Sequence, residues 1–244
     1  MRRTVVSGLS VTSFLVAWEI APRIGLVDPL FTSQPSRVLA AGWTILQTGD
    51  LASHLSVSFL ELAAGLSLAV AVGVPLGLTL GASRGLRDFL DAPIMALYAA
   101  PRLALLPILV VWLGIGMASK IAVVFIGAVL PIIINAAAGP RAIDRSLVLA
   151  AYAFGAKRRD VFLKVLLPGS LPAVISGIRL GMGRGLLGVV VGEMYVSERG
   201  IGHQIMSMGS AFRVDELLFY TLLISVAGVL MTSAMRRLEE RLEP

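Results

Sequence analysis

The chain has 244 residues, 57% of them hydrophobic and only 15% charged, and its mean hydropathy is +0.86. That balance excludes a soluble domain of this length and marks an integral membrane protein. There is no cysteine, which excludes disulfides, thiolate metal sites and cysteine nucleophiles; the net charge of +6 sits on arginines between apolar runs, as the positive-inside rule requires and nucleic-acid binding does not.

Arg2 and Arg3 precede an apolar run from Val5 to Ala21. It reads as a first transmembrane helix rather than a signal peptide, because no small-x-small cleavage site follows and Trp18 and Glu19 suit an interfacial end. Beyond it, Val38, Leu39, Gly42, Ile45 and Leu46 share one helical face beside Trp43, which predicts a short helix in the outer interface. Residues 1–52 are thus an N-terminal helix plus an outer interfacial segment, and 53–236 a core domain.

His54 to Gly81 is the next span. Gly65, Ala69, Gly73, Gly77 and Gly81 recur at every fourth residue and predict a close-packing face, with a bend expected at Pro75. Glu61 is a carboxylate inside a span, costing on the order of 3 kcal/mol, so it is expected to face protein or water, or to lie near the outer interface. Ser83 to Arg87 reads as a basic turn. The run from Phe89 to Leu113 is punctuated by Pro93, Pro101 and Pro107, which predict a bent or broken helix of the kind that lines a translocation path. Arg102, near its middle, is either a pore-lining cation for an anionic substrate or a structural arginine paired with a carboxylate or carbonyl. Leu113 to Lys120 reads as an outer turn. Ile121 to Ala138 spans again, with Pro131 and Asn135 towards one end, and Gly139 and Pro140 are expected to terminate it.

The polar interruption LAAYAFGAKRRDVFLKVLLP, from Leu149 to Pro168, follows. Leu147, Val148, Ala150 and Ala151 predict a short helix that stops at Gly155. Val161, Phe162, Val165 and Leu166 then recur on one face of a second helix, with Pro168 and Pro172 closing it and opening the next. The match of Ala150, Ala151, Gly155, Leu167 and Pro168 to the EAA motif makes the chain resemble the permease subunits of binding-protein-dependent ATP-binding-cassette importers. Two positions depart from the pattern: Leu149 replaces the acidic residue, and Glu61 stands where such permeases often carry a basic one. Pro101, Leu105 to Leu109 and Gly114 to Lys120 resemble the nitrate, sulfonate and taurine branch.

The resemblance implies an all-α membrane protein of about six transmembrane helices, with a type I importer (MetI-like) permease fold and a cytoplasmic coupling loop at 140–168. It implies an ATPase-coupling set of Leu149, Ala150, Ala151, Gly155, Ala156, Lys157, Arg158, Asp160 and Pro168. Candidates for the translocation path are Glu61, Pro101, Arg102, Pro107, Arg184 and Glu193. The implied partners are a second copy of the chain, two ATPase subunits that carry the ATP and magnesium, an extracytoplasmic solute-binding protein and the lipid bilayer. No cofactor, metal or catalytic residue is expected on this chain.

Leu171 to Val196 carries a second stripe, Gly177, Gly181, Gly185, Gly188 and Gly192, expected against a second copy or the Gly65 to Gly81 helix. Gly183, Gly185 and Gly188 satisfy G-x-G-x-x-G, but no strand precedes them, so a dinucleotide site is rejected. Arg179 lies within snorkelling reach of an interface. Arg184, deeper, is a candidate for a buried pair with Glu61 or Glu193, or for substrate contact. Ser197 to Phe212 reads as an outer loop with His203 solvated or facing the binding protein. Leu217 to Met235 is the last span, and residues 237–244 a cytoplasmic tail. With the amino terminus inside, inner segments hold roughly 13 basic residues and outer ones about 5.

No G-x-x-x-x-G-K-[ST] loop is present, so ATP must be handled by another chain. A membrane-embedded enzyme would need a clustered acid and base, and no HEXXH or G-x-S-x-G occurs. A stand-alone secondary transporter would leave the coupling loop unexplained. The expected function is the permease subunit of an importer for a small sulfonate, nitrate, taurine or other organic anion, or alternatively for a neutral heterocycle or vitamin precursor, in a bacterial inner membrane.

Overall fold

The computed structural model describes residues 2–240, with side chains for Val6 and from residue 8 on. The flanking side chains of Arg2 and Arg3, and the tail from residue 241, lie outside the described residues. Among the described residues no strand occurs. The helices are α1 (Arg2–Arg23), α2 (Pro29–Thr32), α3 (Pro35–Thr48), α4 (Leu51–Ala82), α5 (Arg84–Ala99), a 3-10 turn (Arg102–Leu105), α6 (Leu106–Leu113), α7 (Met117–Ala142), α8 (Arg145–Ala153), α9 (Arg158–Val161), a π turn (Phe162–Leu166), α10 (Leu167–Gly169), α11 (Leu171–Val196), α12 (Ile201–Ser210) and α13 (Val214–Glu240).

Among the described residues, α4, α7, α11 and α13 are long and apolar enough to cross a membrane, and α5 with Arg102–Leu113, bent by 85°, makes a fifth if the pair is one crossing. These are four or five of the expected six; α1, whose 22 residues at roughly 1.5 Å each match a ~30 Å hydrocarbon layer in length, is not among them.

The core is built on α7. Glycines on two neighbouring helices grip it from two sides, and Ile132 lies between them: a Cβ added at Gly73 of α4 would stand 2.9 Å from Ile132 Cγ2, and one at Gly181 of α11 would stand 2.9 Å from Ile132 Cγ1. Gly77 meets Ala136, Gly81 meets Pro140, Gly177 meets Asn135 and Gly188 meets Val123. The second stripe therefore packs mainly on α7, not on a second copy or along the Gly65 to Gly81 helix, which only Gly185 approaches, at Leu62. In lipid, where apolar burial supplies little association energy, backbone approach of this kind is what holds helices together.

Several expected boundaries shift. α4 runs unbroken through Pro75, with Thr79 Oγ1 donating to the Pro75 carbonyl at 2.9 Å. α7 continues through Gly139 and Pro140 to Ala142, because the proline ring packs into the notch at Gly81 instead of ending the helix. The basic turn expected at Ser83 to Arg87 shrinks to Ser83, which ends α4 and accepts from the Leu86 amide at the start of α5. Lys120, expected in an outer turn, is in the first turn of α7. The outer loop from Ser197 holds a ten-residue helix, α12. The predicted face of α3 is half right: Val38, Gly42 and Ile45 are buried, Gly42 against Phe219, while Leu39, Trp43 and Leu46 are exposed. α13 turns Val226, Val229 and Leu230 outward, the surface lipid requires.

Candidate functional site

At one end of the bundle, four helices meet on a buried polar network. The Lys120 ammonium forms an ion pair with Glu61 and donates to Ser197 Oγ at 2.9 Å. Ser58 donates to Glu193 Oε1 at 2.6 Å, and Glu193 Oε2 accepts from the Gly202 amide at 2.7 Å. Ser58 Oγ also accepts from the Ile201 amide at 2.9 Å, and His54 Nδ1 from the Gly200 amide at 3.1 Å. The first amides of α12 have no partners within that helix, so side chains of α4 and α11 supply them, and a carboxylate suits the positive end of its dipole. Glu61 and Glu193 thus hold elements together. Neither pairs with Arg184, the partner considered for them from the sequence.

Midway along the bundle lies the second feature. Pro101 cannot continue α5 and forces Ala100 into an extended conformation at ψ 144°, so the chain breaks there and turns sharply. The turn carries Arg102 back towards α7, where Nη1 donates to the Gly127 carbonyl at 3.3 Å and the guanidinium lies 5.1 Å from the Tyr98 ring centre. Arg184 of α11 lines the same space with Leu103, Val123 and Leu187, a cavity of about 430 Å³. Of the six translocation-path candidates, Pro101, Arg102 and Arg184 come together here. Glu61 and Glu193 are in the network described above, and Pro107 is exposed in the first turn of α6, outside the cavity lining. Tyr98 is not singled out in the sequence, and with α5 ending at Ala99 no helical spacing rule places its ring beside Arg102.

The third feature is the hinge between α7 and α11. Asp144 caps α8, its Oδ1 accepting from the Ser146 amide at 2.8 Å. That bond, and the Ser146 hydroxyl, hold the Asp144 carboxyl below the ordinary 3.8 of an aspartate. α8 ends at a turn in which Gly155 takes φ +81°, a left-handed conformation that glycine adopts without penalty. The next helix opens with the Lys157 amide donating to Asp160 Oδ2 at 3.2 Å, and Lys164 pairs with Asp160 at 3.4 Å. Val161 is buried and Phe162, Val165 and Leu166 half-buried, as the periodicity predicts. Pro168 does not close this helix: it sits in α10 just after the π turn, whose wider coil relieves the clash a proline makes with the preceding turn.

Leu149, Ala150, Lys157 and Arg158 are exposed, and Ala151, Ala156 and Asp160 half-buried. Ala151, Gly155, Ala156 and Asp160 line a shallow cleft of about 300 Å³ beside Phe154. Phe154, 92% exposed and absent from the predicted set, is the most prominent apolar side chain of the hinge. Elsewhere Arg179 pairs with Glu239 of α13 at 3.1 Å, and His203 is half-buried in α12. Among the described residues, no group of three or more metal-ligating side chains occurs.

Residues 73–244 match the model of the family described as binding-protein-dependent transport system inner membrane component. The chain is 33% identical over 249 residues to the taurine transport system permease protein TauC of Escherichia coli K12, covering all of this chain and 90% of that protein. It is 30% identical over 238 residues to the putative aliphatic sulfonates transport permease protein SsuC of Bacillus subtilis 168, covering 97% and 86%. Its fold is similar to that of a chain in the inward-facing MetNI methionine transporter, with a TM-score of 0.72 at 20% identity over 80% of this chain and 96% of that one. The chain belongs to the binding-protein-dependent transport system inner membrane component family, and is a permease subunit of an ATP-driven importer rather than an enzyme.

Proposed function

We propose that the chain forms half of a homodimeric permease for a small organic anion such as a sulfonate, with its amino terminus in the cytoplasm. Two ATPase subunits, which carry the ATP and magnesium, dock on the exposed hinge from Leu149 to Asp160. A solute-binding protein delivers substrate at the end that holds α12. Closure of the ATPases displaces the hinge, and the helices that grip α7 rock between two arrangements around the broken α5–α6 pair. The observation that carries the substrate class is the convergence of Arg102 and Arg184 on one cavity. The names of the taurine and aliphatic sulfonates permeases to which the chain is similar support the same class.

The test is uptake of radiolabelled alkanesulfonate into proteoliposomes holding the chain with its cognate ATPase and binding protein. ATP-dependent uptake that stops when the ATPase is omitted is expected. Uptake that persists without the ATPase, or labelling of Lys157→Cys from outside intact cells, would sink the reading.

A further inference from the structure

We propose that His54 is a positioning residue for α12: as a neutral imidazole it seats the first turn of that helix, and on taking up a proton it lets the turn go. Its part in transport rests on the delivery of solute at the α12 end proposed above, to which it adds the side chain that sets that end.

Hydrogen bonding is the first support. Three consecutive amides, of Gly200, Ile201 and Gly202, reach three different acceptors: His54 Nδ1 at 3.1 Å, Ser58 Oγ at 2.9 Å and Glu193 Oε2 at 2.7 Å. His54 and Ser58 stand one turn apart on α4 and Glu193 is on α11, so two helices hold the first turn of α12 together. A neutral imidazole has one donor nitrogen and one acceptor nitrogen. Acceptance at Nδ1 therefore fixes the proton on Nε2, and the Gln204 side-chain amide, 2.7 Å from Nε2, must present its oxygen there. The ring is thus engaged by α12 at both nitrogens, in one tautomer alone. A second proton would set an N–H on Nδ1 against the N–H of Gly200, which turns attraction into repulsion at the positive end of the α12 dipole.

Packing is the second support. A Cβ at Gly200 would collide with the Glu193 carboxylate and one at Gly202 with the Val190 carbonyl, so the backbone of the turn lies flush on α11. Ile201, between them, is buried in a cluster with Ile45, Leu51 and Tyr220, which joins α12 to α3, α4 and α13. Losing the His54 bond therefore loosens a junction of four helices. His54 itself is half-buried, within reach of solvent protons. The charged and titratable groups that face it are Asp50 ahead of α4, Arg199 ahead of α12 and His203 within α12, with Glu193 reaching the same turn from α11. The side chains of Asp50, Arg199 and His203 accept from none of the three amides.

The test reads backbone hydrogen exchange in the full chain, assembled with its ATPase in phosphatidylcholine vesicles. Deuterium uptake of residues 199–205, corrected for the intrinsic exchange rate, is followed from about pH 8 to about pH 5, the range in which a histidine changes charge. Protection of that segment is expected to fall about tenfold in the native chain as the pH drops. His54→Asn keeps an acceptor near the Nδ1 position and cannot titrate, so its protection should persist across the range. His54→Leu offers no acceptor and should be about tenfold less protected than the native chain already at about pH 8. Unchanged protection in the native chain, a loss in His54→Asn equal to the native one, or native protection in His54→Leu overturns the assignment. His203→Asn should keep the native pH response, and losing it would give the effect to His203 and overturn the assignment as well. Exchange requires no solute uptake, so the role of His54 and the importer role stand or fall separately.

Discussion

The Glu61 carboxylate and the Lys120 ammonium, 1% and 6% exposed, form an ion pair that joins α4 to α7 inside the bundle. Such a pair contributes little net stability when intact, since desolvation offsets most of the attraction, but removing one partner strands a buried charge. Lys120→Met is therefore expected to destabilise the protein by about 3–5 kcal/mol. Glu61→Gln combined with Lys120→Met should recover most of that loss. Thermal melting of the purified variants in detergent checks both; a double variant no more stable than the single one would show that the charge imbalance is not the cause.

Two glycines of α11 separated by one residue are expected to respond oppositely. A Cβ at Gly181 would lie 2.9 Å from the Ala128 carbonyl oxygen, so Gly181→Ala must push α11 off α7, at a cost of about 1–3 kcal/mol. Nothing lies within 4 Å of a Cβ at Gly183, so Gly183→Ala should be neutral or stabilising by up to about 1 kcal/mol. Melting temperatures of the two variants, measured side by side, decide the matter.

At the hinge, folding and coupling should separate. Phe154 is almost fully exposed, so Phe154→Ala is expected to leave the melting temperature unchanged while weakening co-purification of the ATPase. Gly155→Trp should insert normally yet lose transport and transport-stimulated ATP hydrolysis, because a side chain at φ +81° is strained and would crowd the docking cleft. Full ATPase retention by Phe154→Ala would remove that residue from the interface.

Asp144 sets a pH limit for the same hinge. Its carboxyl is depressed by the Ser146 amide and then by the Ser146 hydroxyl, so the cap is complete above the ordinary 3.8 and is lost as pH falls through the lower folded value. Proteolysis of the hinge should accelerate below that range. Asp144→Ala should show the acid behaviour at neutral pH, whereas Asp144→Asn, which also caps, should not.

What the sequence made legible followed from local rules. The close packing at the glycine stripes, the stop at Gly155 and the amphipathic face at Val161 each depend on a few neighbouring residues and stand where spacing places them, whereas the choice of Pro101 over Pro93 and Pro107 as the break, and of α7 as the second stripe's partner, does not follow from spacing. Contacts between distant segments were not legible. Glu61 was recognised as an odd carboxylate, but its partner lies 59 positions away at the start of another helix, where Lys120 looked like part of a turn. Glu193 reads in the sequence as a candidate for the path, and its contact with the Gly202 amide, at the start of a helix the sequence presents as a loop, is not visible there. The two prolines expected to end helices, Pro140 and Pro168, stay inside them because a glycine notch and a π turn give each ring room, and neither is visible from propensity.

The two ends of α4 are fastened differently. Near Glu61 the helix is tied by ions and hydrogen bonds; at Gly81, twenty residues or about 30 Å further on, it rests on Pro140 by shape alone, beside the hinge. Breaking the first attachment means stranding charge, while sliding the second disturbs only van der Waals contact. A displacement of α4 along α7 would therefore be opposed by charge at one end and by steric fit at the other.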